Sequence, residues 1–192
     1  KFIHSKDALD GLIQCATIHY QFEAIHPFLD GNGRIGRLLT ILFLCEREYL
    51  KYPLLYLSAY FERNRSQYYE RLLGVSQKGD WLGWIKFFLK AIAEESRDAI
   101  DNSKAVLTLL DDYRRRVEQK RPSMYVFKSL DLISRNPYIS IPRAADMLKT
   151  SFHTAKAAIE KLQSMKILTE TTDKERGKIY CAEELLKIFD PK

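Results

Sequence analysis

Apolar residues return at helical spacing through most of this chain. Leu9, Leu12, Ile13, Ala16, Ile18, Tyr20 and Phe22 follow Ser5 and Asp7, which have the character of a helix start. They predict a first helix that stops at Pro27, because the residue before a proline is pushed out of the α region. Residues 34–49 are strongly apolar and predict a buried helix. Pro53 then breaks the chain, residues 58–73 predict a helix, 74–80 a loop, and 81–93 another apolar helix. Residues 94–120 turn highly charged but keep a seam of Ala99, Ile100, Val106, Leu107, Leu110 and Tyr113. That pattern predicts an amphipathic helix with a solvated face, connecting two domains.

A different plan starts at Arg121-Pro122-Ser123, with Ser123 in the position of an N-cap. Helices are predicted over 124–134, 142–148 and 152–165, with a short extended piece at 138–141. Ser151 caps the third helix after the turn Lys149-Thr150. Two strand-like stretches, 167–171 and 178–182, are joined by Asp173-Lys174-Glu175-Arg176-Gly177. Three helices and a hairpin are the plan of a winged helix-turn-helix. The expected fold class is therefore mainly α: a helical core over 1–93, a connecting helix over 94–120, and a small winged helix domain (α plus β-hairpin) over 121–192.

Composition narrows the function without naming it. An apolar share of 46% in 192 residues marks a core-forming chain with room for one large domain or two small ones. A net charge of +6 permits contact with nucleotide or nucleic acid without demanding it. Cys15, Cys45 and Cys181 lie far apart with no C-x-x-C, so neither a zinc site nor a disulfide framework is signalled. A reducing, cytoplasmic setting is expected. The longest apolar run, 38–45 interrupted by Thr40, is too short to span a bilayer, so no membrane partner is expected. The chain opens without Met in mid-pattern and reads as a piece of a longer protein.

The chemistry is concentrated between His26 and Arg37, in His-Pro-Phe-Leu-Asp-Gly-Asn-Gly-Arg-Ile-Gly-Arg. The stretch contains G-x-G-x-x-G, but a dinucleotide fold needs a strand in front and a parallel sheet around it, and the preceding residues are helical. Nor is there a G-x-x-x-x-G-K-[ST] phosphate loop. The glycines still let the backbone approach an anion, and the helix that follows adds its positive N-terminal end. Arg34 and Arg37, three apart, emerge on a similar side of that helix, where unpaired cations are unfavourable until an anion binds. Asp30 offers a hard oxygen to Mg²⁺, and His26 has the one unperturbed pKa suited to base work near neutrality.

These residues resemble the signature of the Fic family at every defining position. Tyr20-Gln-Phe-Glu-Ala-Ile25 and the segment from Leu57-Ser58 through Asn64 to Tyr68-Tyr69 are also similar to it. The resemblance covers about the first half of the chain. It implies a helical domain that transfers AMP from ATP to a hydroxyl side chain (Ser, Thr or Tyr) of a protein, the chain itself included, with release of pyrophosphate. It assigns His26 the role of base and Asp30 that of Mg²⁺ ligand. Phe28 and the amides of Gly31, Asn32 and Gly33 would line the nucleotide, Arg34 would offset the leaving pyrophosphate, and Arg37 would reach the γ-phosphate. Asn64 would touch the adenine, with Tyr68 nearby, although core packing is the simpler role for Tyr68. The family's phosphate-transferring branch has Lys where Gly33 stands, so Gly33 favours AMP transfer. In that family a substrate-docking flap and, where present, an inhibitory helix lie upstream of the signature, and neither is found in the 25 residues before His26.

The helix-turn-helix offers Ser151, His153, Thr154, Lys156 and Lys161, and its wing Lys174, Arg176 and Lys178, to nucleic acid. With 13 basic and 9 acidic residues its net charge is only +4. A protein-interaction or homodimer role is therefore favoured over DNA binding. The alternative for the whole chain is a nucleotide-sensing, DNA-binding transcriptional regulator.

Overall fold

The computed structural model describes residues 2–5, 9–120, 122–172 and 177–189. A 3-10 turn at Phe2–His4 precedes α1 (Gly11–Ile25), α2 (Asn32–Glu46), α3 (Leu57–Arg63), α4 (Arg65–Lys78) and α5 (Trp81–Glu118). Then come α6 (Met124–Arg135), β1 (Tyr138–Ser140), α7 (Ile141–Leu148), α8 (Phe152–Ser164), β2 (Thr169–Glu170), β3 (Ile179–Cys181) and α9 (Glu183–Lys187). The fold is mainly α with one small sheet. Packing divides the chain into two compact units, Lys1–Ile100 and Asp101–Lys192.

In the first unit α1 starts later than the pattern suggests. Asp10 is its cap, accepting the Leu12 N–H at 2.9 Å. Ser5 is instead used through its carbonyl, which accepts from Gln14 Nε2 at 3.0 Å and Arg47 Nη2 at 2.9 Å; Asp7 lies outside the described residues. The helix expected over 34–49 begins two residues earlier and is buried on one side only: Gly36, Thr40, Phe43 and Leu44 are covered, while Ile35, Leu38 and Leu42 are exposed. Residues 58–73 are not one helix. Asn64 leaves the helical region (φ −113°, ψ 32°) and divides α3 from α4. Conversely, α4 runs through Gly74 and ends where Gly79 adopts φ 66°. Asp80 then caps α5, its carboxylate accepting the Gly83 N–H at 2.9 Å. The apolar stretch 81–93 and the charged one after it form one continuous helix, since no Pro and, beyond Gly83 in the first turn, no Gly interrupts them.

The core of this unit joins Cys15, Ala16 and Ile18 of α1 to Phe43 and Leu44 of α2, Tyr60 and Phe61 of α3, Tyr68 of α4, and Trp84, Phe88 and Ala91 of α5. Trp84 is fully buried; its indole N–H donates to the Ala16 carbonyl at 2.8 Å and its ring stacks on His19. Arg63 at the end of α3 donates to the buried Glu95 carboxylate of α5 at 2.6 Å.

In the second unit the three expected helices are present, and Ser151 accepts the Thr154 N–H at 3.1 Å. Ser123 stands at the start of α6 without a side-chain bond. The extended piece becomes a third strand. β1 pairs antiparallel with β3 (Ile139↔Tyr180), and β3 with β2 (Glu170↔Tyr180), in the order β1-β3-β2. The strands are shorter than expected because Ile167 and Leu168 turn into the core with Ile133, Ile159 and Leu162. α9 was not expected. Arg121 and the hairpin tip Asp173, Lys174, Glu175 and Arg176 lie outside the described residues. No helix among the described residues is long and apolar enough to cross a membrane.

Candidate active site

The loop between α1 and α2 is shaped by two left-handed residues. His26 ends α1 with φ 50° and ψ 56°, its N–H donating to the Phe22 carbonyl at 3.0 Å. Pro27 keeps it out of the right-handed region, and the helix cap selects the left-handed one, at about 1–2 kcal/mol for a non-glycine residue. The imidazole is exposed. Gly31 (φ 80°) then opens α2 and supplies no side-chain cap. The first N–H groups of α2, from Asn32, Gly33 and Arg34, have no acceptor within the helix. They form a donor cluster that suits an anion.

Asn32 holds this loop closed. Only 2% exposed, it accepts the Phe28 N–H through Oδ1 at 2.9 Å and donates from Nδ2 to the Phe28 carbonyl at 2.6 Å. Its side chain is thus spent on the loop. The Phe28 ring leans on Phe22. Asn32→Ala removes both bonds and leaves two Phe28 backbone groups unsatisfied. We expect a loss of about 1–3 kcal/mol in urea unfolding; an unchanged unfolding midpoint would refute the clasp.

Asp30 and Arg34 lie out in solvent. The Asp30 side chain is 94% exposed, with Oδ1 on the Gly31 N–H at 2.6 Å and Oδ2 3.6 Å from Arg34 Nη2. Such a surface pair holds weakly and exchanges readily for a ligand. Arg34 and Arg37 line a small cavity of about 180 Å³ with Leu38, Ile41 and the 55–58 segment. Arg37 also lines a larger one, about 580 Å³, with Glu23, His26, Gly33, Tyr68 and Tyr69. Arg37 has no hydrogen-bond or ion-pair partner among the described residues. Asn64 lines neither cavity; it sits at the α3–α4 break, donating to the Tyr60 carbonyl at 2.9 Å.

Asp30 suits a magnesium ion in one respect: it is an exposed carboxylate beside the donor cluster. No group of three or more His, Cys, Asp or Glu side chains among the described residues could hold a metal. An ion held at Asp30 would have to bring most of its own ligands, as Mg²⁺ can with phosphates and water.

Two features were not legible as site chemistry. His19 is wholly buried, with Nδ1 facing the Gly36 carbonyl (3.3 Å) and Thr40 Oγ1 (3.1 Å). Thr40 spends its own proton on the Gly36 carbonyl at 3.0 Å, so Nδ1 carries the imidazole proton. Burial pushes the His19 pKa down to about 4, so the ring is neutral and Nε2 accepts the Tyr68 hydroxyl at 3.0 Å. Tyr68 is thereby a core residue whose edge reaches the larger cavity. Glu23 is the second feature. Its carboxyl is 10% exposed and lies against Gly36, where an added Cβ would come within 2.5 Å of Oε1. Helical spacing from His26 was the one signal that placed it there.

Of the residues offered to nucleic acid, Lys156 pairs with Glu160 at 3.7 Å and Lys178 with Glu170 at 3.1 Å; Thr154 bonds Ser151. His153 and Lys161 are exposed, and Lys174 and Arg176 lie outside the described residues.

Known proteins resemble parts of this chain. The chain is 36% identical over 86 residues to a protein adenylyltransferase Fic of Drosophila grimshawi, covering 45% of this chain and 16% of that protein. It is 34% identical over 71 residues to a probable protein adenylyltransferase of Aquifex aeolicus, covering 37% and 20% respectively. The chain thus spans at most about a fifth of the curated relatives' lengths. A crystal structure of a Fic family protein from Desulfovibrio desulfuricans shares the fold, with TM-score 0.50 and 20% identity over 94% of this chain and 51% of that one. Residues 1–44, which hold α1, the His26 loop and most of α2, match the Fic/DOC family. The likeness to the Fic/DOC family is thus carried by that segment.

Proposed function

We propose that the first unit transfers AMP from ATP to a Ser, Thr or Tyr hydroxyl of a protein, this chain included. The observation that carries the reading is one juxtaposition. An exposed imidazole, His26, shares a cavity with Arg37 beside an uncapped helix start. The relatives named protein adenylyltransferase support it.

In this reading a ring nitrogen of His26 takes the acceptor's proton as its oxygen attacks the α-phosphorus. The bond from that phosphorus to the bridging oxygen breaks, and pyrophosphate leaves. The amides of Asn32, Gly33 and Arg34 receive phosphate oxygens, Arg34 and Arg37 offset the departing charge, and Phe28 walls the loop. Asp30 would hold Mg²⁺, which supplies positive charge to the polyphosphate. Catalysis of this kind is positioning and charge, with little covalent work for the protein. Gly33 supports the reading, since any side chain there would start 3.1 Å from Arg37 Nη1 and crowd it. Asn64 contacts the adenine only if the base extends beyond the two cavities. The second unit, read as a winged helix, serves protein contact or dimerisation; the Lys156 and Lys178 ion pairs weaken the case for DNA.

Incubation with ATP labelled at the α-phosphate and Mg²⁺ is expected to mark protein covalently. Label arriving from the γ-phosphate instead would overturn the assignment.

A further inference from the structure

Two ionisable side chains in the wall of the larger cavity, Glu23 and Arg37, make no hydrogen bond among the described residues. Glu23 is nine-tenths buried and its Oε1 makes no hydrogen bond. Arg37 makes none among the described residues. Their heads flank the same empty point: a Cβ on Gly33 would lie 4.0 Å from Glu23 Oε1 and 3.1 Å from Arg37 Nη1. Yet they do not pair with each other.

No hydrogen-bond donor answers Glu23 Oε1. From α1 it faces His19 and His26, from α2 Arg37, and from α4 Tyr68 and Tyr69. His19 Nε2 is 4.0 Å away, but its lone pair is taken by the Tyr68 hydroxyl, so it offers no proton. An orphaned buried carboxyl costs free energy unless a ligand meets it. Arg37 across the gap calls for an anion. An ionised Glu23 would repel that anion; a protonated one would donate to it.

We propose that Glu23 reads the terminal phosphates: its protonated carboxyl donates to a phosphate oxygen of the nucleoside triphosphate that Arg37 clamps, so nucleotide enters with one proton from solvent. The inference rests on the triphosphate reading above. Burial already pushes the Glu23 carboxyl upward, against the lowering influence of Arg37 and His26. Arriving phosphate charge raises it further and screens Arg37. The bound-state pKa therefore exceeds the free one, and protons are taken up on binding. Affinity is greatest below the free-state pKa. It falls by up to about tenfold per pH unit until the bound-state pKa is passed.

The test is calorimetric titration of the full chain with ATP and with AMP, in two buffers of different ionisation enthalpy, across pH. Wild type is expected to take up protons with ATP beyond those taken up with AMP. Glu23→Gln, which keeps a donor without titrating, should lose that uptake, bind ATP with a flatter pH profile, and bind at least as tightly as wild type at pH 8. Glu23→Ala, with no donor, should bind more weakly at every pH. The glutamine variant subtracts His26 and the nucleotide's own ionisation, and thermal melting confirms that both variants fold. Equal proton uptake in wild type and Glu23→Gln overturns this inference alone. If Glu23→Gln does not fold, equal uptake with ATP and AMP in wild type overturns it. Failure of wild type to bind ATP overturns the triphosphate reading, and the inference with it.

Discussion

His26→Ala lowers AMP transfer by about 10²–10⁴-fold, the span that general acid–base catalysis supplies. Only the side chain is lost. The bond that ends α1 uses the His26 backbone N–H, and alanine retains it. Both residues bear the same left-handed strain, and the imidazole is exposed, so the melting temperature should move little. ATP affinity should also hold, because the amides of α2 and the two arginines are untouched. The expected signature is therefore a fall in kcat at nearly constant nucleotide affinity, read in single-turnover transfer of α-phosphate label. Transfer within about tenfold of wild type would remove His26 from the base role.

Trp84→Ala destabilises the first unit by about 3–5 kcal/mol, the range for emptying a buried large aromatic site. Trp84 is fully enclosed, and the lost indole N–H also leaves the buried Ala16 carbonyl unpaired. Against a domain stability of about 5–15 kcal/mol, much of the margin disappears. For a unit of this size the midpoint should drop by at least about 10 °C in thermal unfolding. Trp84→Phe keeps most of the ring and should cost clearly less. A shift under about 1 kcal/mol for Trp84→Ala would mean that the α1–α5 contact does not organise the core. AMP transfer should fail with the fold, since α1 carries Glu23 and His26 to the cavity.

The sequence by itself determined what is local. Pro27 stops α1 and Ser151 caps α8; each depends on the φ preference or side-chain reach of a few adjacent residues. The proximity of the candidate site residues was legible for the same reason. His26, Asp30, Arg34 and Arg37 sit in one loop and one helix turn, so their proximity needed no folding to infer. The helix break at Asn64 was missed because such a break costs little locally and is settled by packing on both sides of it. The exposed face of α2 escaped prediction because an apolar helix does not announce which side will be covered. β1 joined the sheet only through β3, about forty residues onward. Tertiary structure alone decided the His19–Tyr68 bond, 49 residues apart, and the Trp84–Ala16 bond, 68 apart. It also decided that Glu23 is stranded beside Gly36 without a donor. Partnerlessness is a property of everything that surrounds a group, and no stretch of sequence contains that.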